Sequence, residues 1–294
     1  MEADGRRWVG RGELEGLCGA RLSGASLPGL WTAGALDGLY APCVAIVGTR
    51  APSDDGRRRA RRLAEELAGA GVCVVSGLAL GIDGAAHEGA LAARAPTIAV
   101  LGGGHDHVFP PRHRELAARI AAGGGAVVSP FAPENVPQPW QFLARNGVIA
   151  ALADAVVVVE AAARSGALNT AGHAADLGIP VLAFPGDVER PKAAGCNALI
   201  RDGATLVRDA ADVLAALPTV APVAPVAAKR AAPQHASDPS PVRHVLAALA
   251  EGAREAAALA DCVALAPAEL SSVLGELETA GRIVRGSDGY ALTR

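Results

Sequence analysis

The sequence predicts an α/β fold: an extended Rossmann-like, doubly wound, mostly parallel sheet, plus a small C-terminal winged-helix domain. Three observations carry this. From residue 42 onward, apolar runs of strand length alternate with helix-compatible segments. Those runs are continuous rather than alternating, as strands need to be when crossover helices bury both faces of a sheet. After a proline-rich stretch, the last fifty or so residues read as three helices and a hairpin.

In chain order, residues 1–41 are glycine-rich with weak periodicity. They read as a lead-in with one short helix near Glu13–Cys18. Strands are expected at 43–48, 72–76, 97–101, 126–129, 155–160 and 180–184, with another near 204–207. Helices fit 54–70, 82–93, 112–122, 142–152, 166–177 and 209–216. This α/β region, 42–217, is followed by 218–241, where six prolines among Ala, Val and Ser mark an extended, semi-rigid linker. The module 242–294 has helices expected at 242–250, 255–262 and 267–280, then two short strands around a Ser-Asp-Gly turn. Its third helix carries Glu269, Glu276 and Glu278 and no basic residue. A recognition helix needs cations to position phosphates, so packing or protein contact is favoured over DNA binding for this module.

Composition narrows the function. A hydrophobic fraction of 51% supports a large core, and a net charge of -3 excludes a polyanion binder that works by bulk charge. Local charge carries more information. Residues 50–62 hold six arginines against two aspartates. Of the 27 basic residues only Lys192 and Lys229 are lysine. Arginine suits bidentate phosphate contacts and stacking on bases, but a GC-rich coding bias accounts for the overall excess, so only clusters count. Five cysteines without a C-x-x-C pair point to a reduced, cytoplasmic protein with no zinc site. The most apolar stretch, Val148 to Ala163, is interrupted by Asp154 and Glu160, and no membrane span is expected.

The strand ends hold the chemistry. Val44 to Arg50, VAIVGTR, is a buried strand that ends in glycine and opens into a helix, a standard place to hold an anion. The sequence has no G-x-x-x-x-G-K-[ST] phosphate loop, no G-x-G-x-x-G after the first strand and no G-x-S-x-G elbow. Further ends read Ser76-Gly77, Gly102-Gly103-Gly104, Glu160 with Ser165-Gly166 behind it, and Pro185-Gly186. One such glycine is ordinary turn chemistry. Their recurrence along the carboxyl edge, where ligands of such sheets sit, reads as small residues that admit a ligand to backbone N–H groups.

Other clusters have competing readings. Asp83 and His87 share a helix face, and without a third ligand a cap plus a hydrogen-bonded histidine is favoured over a metal. His105, Asp106 and His107 look metal-like but sit on an irregular loop. Trp140 and Phe142 beside Arg145 and Asn146 fit base stacking next to a phosphate cation, or else a hydrophobic staple for the following helix. Ser165 is a candidate N-cap. Cys196 is a candidate nucleophile with no cationic activator adjoining it.

Seven blocks together resemble the DprA/Smf family, DNA-processing protein A. They are VAIVGTR (44–50), VVSGLALGIDGAAH (74–87), TIAVLGGGHDHVFPP (97–111), FLARNGVIAAL (142–152), VVVVEA (156–161), SGALNTA (165–171) and FPGDV…GCNALI (184–200). The resemblance implies an extended Rossmann fold that binds single-stranded DNA and forms a homodimer. It implies protection of incoming strands and help in loading RecA during natural transformation or recombination, without catalysis or a cofactor. Carried over by position, the DNA contacts are Gly48, Thr49, Arg50, Gly77, Gly102, Gly103, Gly104 and Phe142, with Arg145, Asn146, Ser165 and Gly166 completing the groove. There are departures. Where the family reads F-P-x-R-N-R-I-I-A, this chain has Leu143 and Gly147, and the preceding PQPWQ lacks a basic residue. These changes remove phosphate contacts and shift affinity toward Arg57–Arg62. The family's N-terminal helical domain is also shortened. A rival reading is a nucleotide-processing enzyme resembling the cytokinin-activating phosphoribohydrolases, with Glu160 as the strand-end carboxylate, although their P-G-G-x-G-T block is missing. A nucleotide sensor using the same pocket is a third.

Overall fold

The computed structural model describes residues 5–217, the single positions 245, 249 and 259, and residues 267–279, 282–286 and 289–292. The chain divides into two compact units, Met1–Pro225 and Val226–Arg294.

In the first unit the elements run β1 (Arg6–Gly10), α1 (Arg11–Cys18), β2 (Gly29–Gly34), β3 (Cys43–Val47), α2 (Asp54–Gly69), β4 (Cys73–Ser76), α3 (Ile82–Ala92) and β5 (Thr97–Val100). Then come α4 (Arg114–Ala122), β6 (Ala126–Ser129), α5 (Pro139–Ala151), β7 (Ala155–Val158), α6 (Gly166–Asp176), β8 (Val181–Ala183), α7 (Ala194–Arg201), β9 (Thr205–Leu206) and α8 (Ala210–Ala216). One nine-stranded sheet has the order β1-β2-β6-β5-β4-β3-β7-β8-β9. Every pairing from β6 to β9 is parallel, and β1–β2 and β2–β6 are antiparallel.

The continuous apolar runs are explained by what covers them. Along β3, Cys43, Ala45 and Val47 enter one core with the helical residues Ile149, Ala167 and Ala171. Val44 and Ile46 enter the opposite core with Leu63 and Leu67 of α2 and Ile82 of α3. A two-residue period divided between two covered faces leaves no polar position. The chain leaves β3 for β4, β5 and β6 on one side, then returns to β7 on the other. The carboxyl ends of β3 and β7 therefore form the switch point where ligands of doubly wound sheets bind.

Two expectations are corrected. Residues 1–41 are not a lead-in outside the sheet: β1 and β2 extend it past β6, and Leu14, Leu22, Leu30 and Leu39 are fully buried in the core shared with α5 and α6. RRWVG and GLWTAG are short and glycine-bounded, so neither shows the apolar run that marks the parallel strands. No helix was expected between β8 and β9, yet Cys196 lies inside α7, an eight-residue helix whose first turn is buried under the Ala161 and Ala162 carbonyls.

In the second unit, the helix Pro267–Thr279 precedes the antiparallel pair Ile283–Gly286 and Gly289–Leu292. Leu270, Leu274 and Leu277 bury one helix stripe against Val245, Leu249, Leu259 and Ile283. A helix followed by a hairpin fits the expected winged helix. The linker 218–241 and most of helices 242–250 and 255–262 lie outside the described residues. Among the described residues no helix is long and apolar enough to cross a membrane.

Candidate nucleic-acid interface

The site begins where β3 ends. Thr49 N–H donates to the Glu160 carbonyl at 2.7 Å, and Ile82 N–H donates to the Thr49 carbonyl at 3.3 Å. The turn is thus tied to the end of β7 and the start of α3. It also needs glycine at 48: a Cβ there would lie 2.5 Å from Ile82 Cγ1 and 2.9 Å from the Glu160 carbonyl oxygen. Past this turn Arg50 emerges into solvent, its guanidinium carbon 5.7 Å from the centroid of the Phe142 ring.

Phe142 is placed by the first turn of α5. Gln138 and Gln141 form a capping box there, with Gln138 N–H donating to Gln141 Oε1 at 2.7 Å, and Gln141 Nε2 donates to Asn135 Oδ1 at 2.9 Å. Phe142 meets Phe109 edge to face at 5.6 Å, and Trp140 meets Phe131 at 5.9 Å. Phe109 is 49% exposed and Trp140 61%, so a cation and aromatic rings lie in solvent along one edge. Across from them, Ser165 caps α6 by accepting from Ala167 N–H at 3.3 Å. Asn146 Nδ2 donates to Asn169 Oδ1 at 3.1 Å and to the Gly166 carbonyl at 3.3 Å, which joins α5 to the start of α6.

The β3 turn and the starts of α5 and α6 line a cavity of about 250 Å³. Of the site residues expected from sequence, Gly48, Thr49, Arg50, Phe142, Arg145, Asn146, Ser165 and Gly166 line it. Gly77, Gly102, Gly103 and Gly104 do not. They are buried, and the space a side chain would take is already filled. A Cβ on Gly77 would meet the Arg145 guanidinium and, at 2.6 Å, Asp83 Oδ2. On Gly102 it would lie 2.6 Å from Phe142 Cδ1, on Gly103 2.8 Å from Pro137 Cβ, and on Gly104 against the Pro133 and Ala132 carbonyl oxygens. Beside these glycines the space is taken up by the protein's own groups.

Arg145 lines the cavity as expected from sequence, but from its buried floor. Its side chain is buried, and Nη1 donates to the Gly77 and Val100 carbonyls. Asp83 Oδ2 accepts from Gly77 N–H at 3.2 Å and from Ala79 N–H at 3.4 Å. Burial raises the Asp83 carboxyl above its usual range, against the pull of Arg145. Burial likewise lowers Arg145 to about 10, with Asp83 opposing and Arg50 adding to the shift. Arg145 stays cationic at neutral pH, a fixed charge in the cavity floor that positions the glycine loops. Gly147 lies outside the lining, and a Cβ there would meet only the His173 ring at 3.7 Å, so its position faces α6 rather than the cavity.

The other clusters are structural. The His87 ring Nδ1 donates to Thr97 Oγ1 at 2.8 Å, since that hydroxyl itself donates to the Val74 carbonyl at 2.6 Å. Burial lowers His87 to about 3 from an ordinary 6.5. Below pH 6.5 the unfolded chain therefore takes up a proton that the folded chain refuses. Stability is full above that pH and falls toward pH 3, by up to about 1.4 kcal/mol per pH unit. In urea melts across this range, His87→Asn is expected to flatten the acid slope. An unchanged slope would remove His87 from the account. His105 Nε2 donates to the Val127 carbonyl at 2.9 Å, and Asp106 pairs with Arg6 at 2.5 Å. Cys196 is buried, which pushes its thiol up to about 11, so it is not an activated nucleophile. Glu160 Oε2 accepts from Ser53 N–H at 2.9 Å and from Ser53 Oγ at 3.2 Å, and so braces the start of α2.

Sequence reasoning missed Arg164, Leu143 and Thr170 as site residues and read Asp83 as a helix cap; all four line the cavity, and Asp83 lies inside α3, whose cap is Gly81, and fastens the preceding loop instead. Arg164 had a visible signal, a cation directly before the Ser165-Gly166 helix start.

Comparison with known proteins supplies independent findings. The family model described as DNA recombination-mediator protein A matches residues 23–218, and the DprA winged helix domain model matches residues 228–289. The chain is 37% identical to Protein Smf of Escherichia coli over 276 residues, 93% of this chain and 74% of that protein. It is 46% identical to the putative DNA processing protein DprA of Mycobacterium tuberculosis over 197 residues, 66% of this chain and half the length (50%) of that relative. Among solved structures, DprA of Streptococcus pneumoniae superposes with a TM-score of 0.67 at 36% identity, covering 73% of this chain and 75% of that one. DNA processing protein A of Helicobacter pylori, whose structure concerns its single-stranded DNA binding mode, superposes with a TM-score of 0.62 at 27% identity, covering 71% and 94%.

Proposed function

The chain belongs to the DprA/Smf family, and from that premise we propose that it binds single-stranded DNA along the carboxyl edge of its sheet, without chemical turnover. The observation that carries the reading is Arg50 held over Phe142 at the mouth of the cavity. A cation beside exposed rings at the mouth of the cavity fits a backbone phosphate next to an unstacked base, and a paired, stacked duplex presents no such base. As a family member it is proposed to act as a homodimer, to protect strands during transformation or recombination and to deliver them to RecA recombinase. Anisotropy titrations with a labelled oligonucleotide and its duplex test the binding step. Tighter binding of the single strand is expected, and equal affinity for the duplex would reject the reading.

The hydrolase rival needs a free carboxylate, and the one it would use braces α2. Glu160→Gln keeps an oxygen acceptor for Ser53 and is expected to cost about 1 kcal/mol of stability while leaving DNA affinity unchanged. Base release from a nucleotide by the unaltered protein, lost in Glu160→Gln, would install the rival instead.

A further inference from the structure

The arginine-rich face of α2 takes no part in the cavity apart from Arg50 upstream of it. Arg58, Arg59, Arg61 and Arg62 line a second, larger cleft of about 690 Å³ with Phe184 and Arg208. Glu65, Glu66 and Asp209 line it as well. Three of its cations are matched: Arg58 with Asp55, Arg62 with Glu66 at 2.7 Å, and Arg208 with Asp212 at 2.8 Å. Among the described residues Arg59 and Arg61 enter no ion pair. Arg59 is nonetheless held in place. Its guanidinium carbon lies 5.2 Å from the centroid of Phe184, a ring that is itself buried. Arg59 and Arg61 are both exposed, so the cleft offers solvent two unneutralised forks, one of them anchored on an aromatic surface. That is a site for phosphates, with a guanidinium plane on which a base can stack.

Its place in the sheet indicates whose phosphates. Phe184 directly follows β8, as Gly48 follows β3, and β3, β7 and β8 are consecutive neighbours. The two strand ends are two spacings apart, about 10 Å, the rise of about three stacked nucleotides.

We propose that this cleft is a second contact for the same single strand, with Arg59 and Arg61 each taking a phosphate of the segment that leaves the cavity. This rests on the reading of the cavity as a single-strand site. The test is the double variant Arg59→Ala/Arg61→Ala, on an exposed helix face where alanine favours the helix. It is titrated with oligothymidylates of about six and about twenty nucleotides. The expected result is unchanged affinity for the short oligomer and about a tenfold loss for the long one, with a salt slope shallower by about 1.4 for two lost phosphates. Unchanged affinity and slope with the long oligomer would overturn the proposal, as would equal losses on both lengths. Arg50→Ala in parallel separates the two claims. If it weakens both oligomers while the double variant weakens neither, the cavity stands and the second contact falls. If it changes nothing while the double variant weakens the long oligomer, the cleft stands as a strand site and the cavity reading falls.

Discussion

Arg50→Ala is expected to weaken single-stranded DNA binding about tenfold, or 1.4 kcal/mol, and to flatten the dependence of affinity on salt by about 0.7 for one lost phosphate contact. Arg50 is exposed and carries none of the backbone ties of the turn before it, so stability should stay within about 0.5 kcal/mol. Arg50→Lys separates charge from shape. Lysine keeps the phosphate charge but not the planar fork over Phe142. It should therefore retain the salt slope and recover only part of the affinity. Titrations at several salt concentrations read both quantities at once. Full affinity in Arg50→Ala would leave the cavity without its gripping cation.

Arg145→Met is expected to act through the fold. Losing the guanidinium leaves the Gly77 and Val100 carbonyls without their donor and Asp83 without the cation that steadies it. Removing one partner of a buried charge arrangement costs about 3–5 kcal/mol, a fall of roughly 10 °C in melting temperature for a unit of this size. Adding Asp83→Asn should restore part of that loss, because the stranded carboxylate is then neutral. A variant that melts normally yet loses DNA affinity would make Arg145 a ligand-gripping residue.

Much of the sheet was legible because β3 to β8 each carry an apolar run, and such runs have one common physical cause: burial on both faces. Expected strands such as 126–129 coincide with the observed one, and most helix ends differ by a residue or two. The missed elements lack that signature. β1 and β2 form an edge where one antiparallel strand is short and partly wet, and α7 is short and carries a glycine in its first turn. The site was legible in its parts but not in their division of labour. Sequence places Arg50, Arg145 and the glycines on one edge. Only packing reveals that Arg50 is free while Arg145 is enclosed, because the carbonyls that enclose it come from Gly77 and Val100, far away in the chain.

The filled glycines bear on how such chains are recognised. Gly77 and Gly102 to Gly104 are part of the mould that receives Arg145, Phe142, Pro137 and the 132–133 backbone, so a pattern built from them detects the mould. A descendant that exchanged Arg50 and the exposed rings for inert residues would keep the entire glycine signature and the same architecture. Sorting active members from silent ones thus depends on a few exposed side chains, to which a pattern built from glycines is blind.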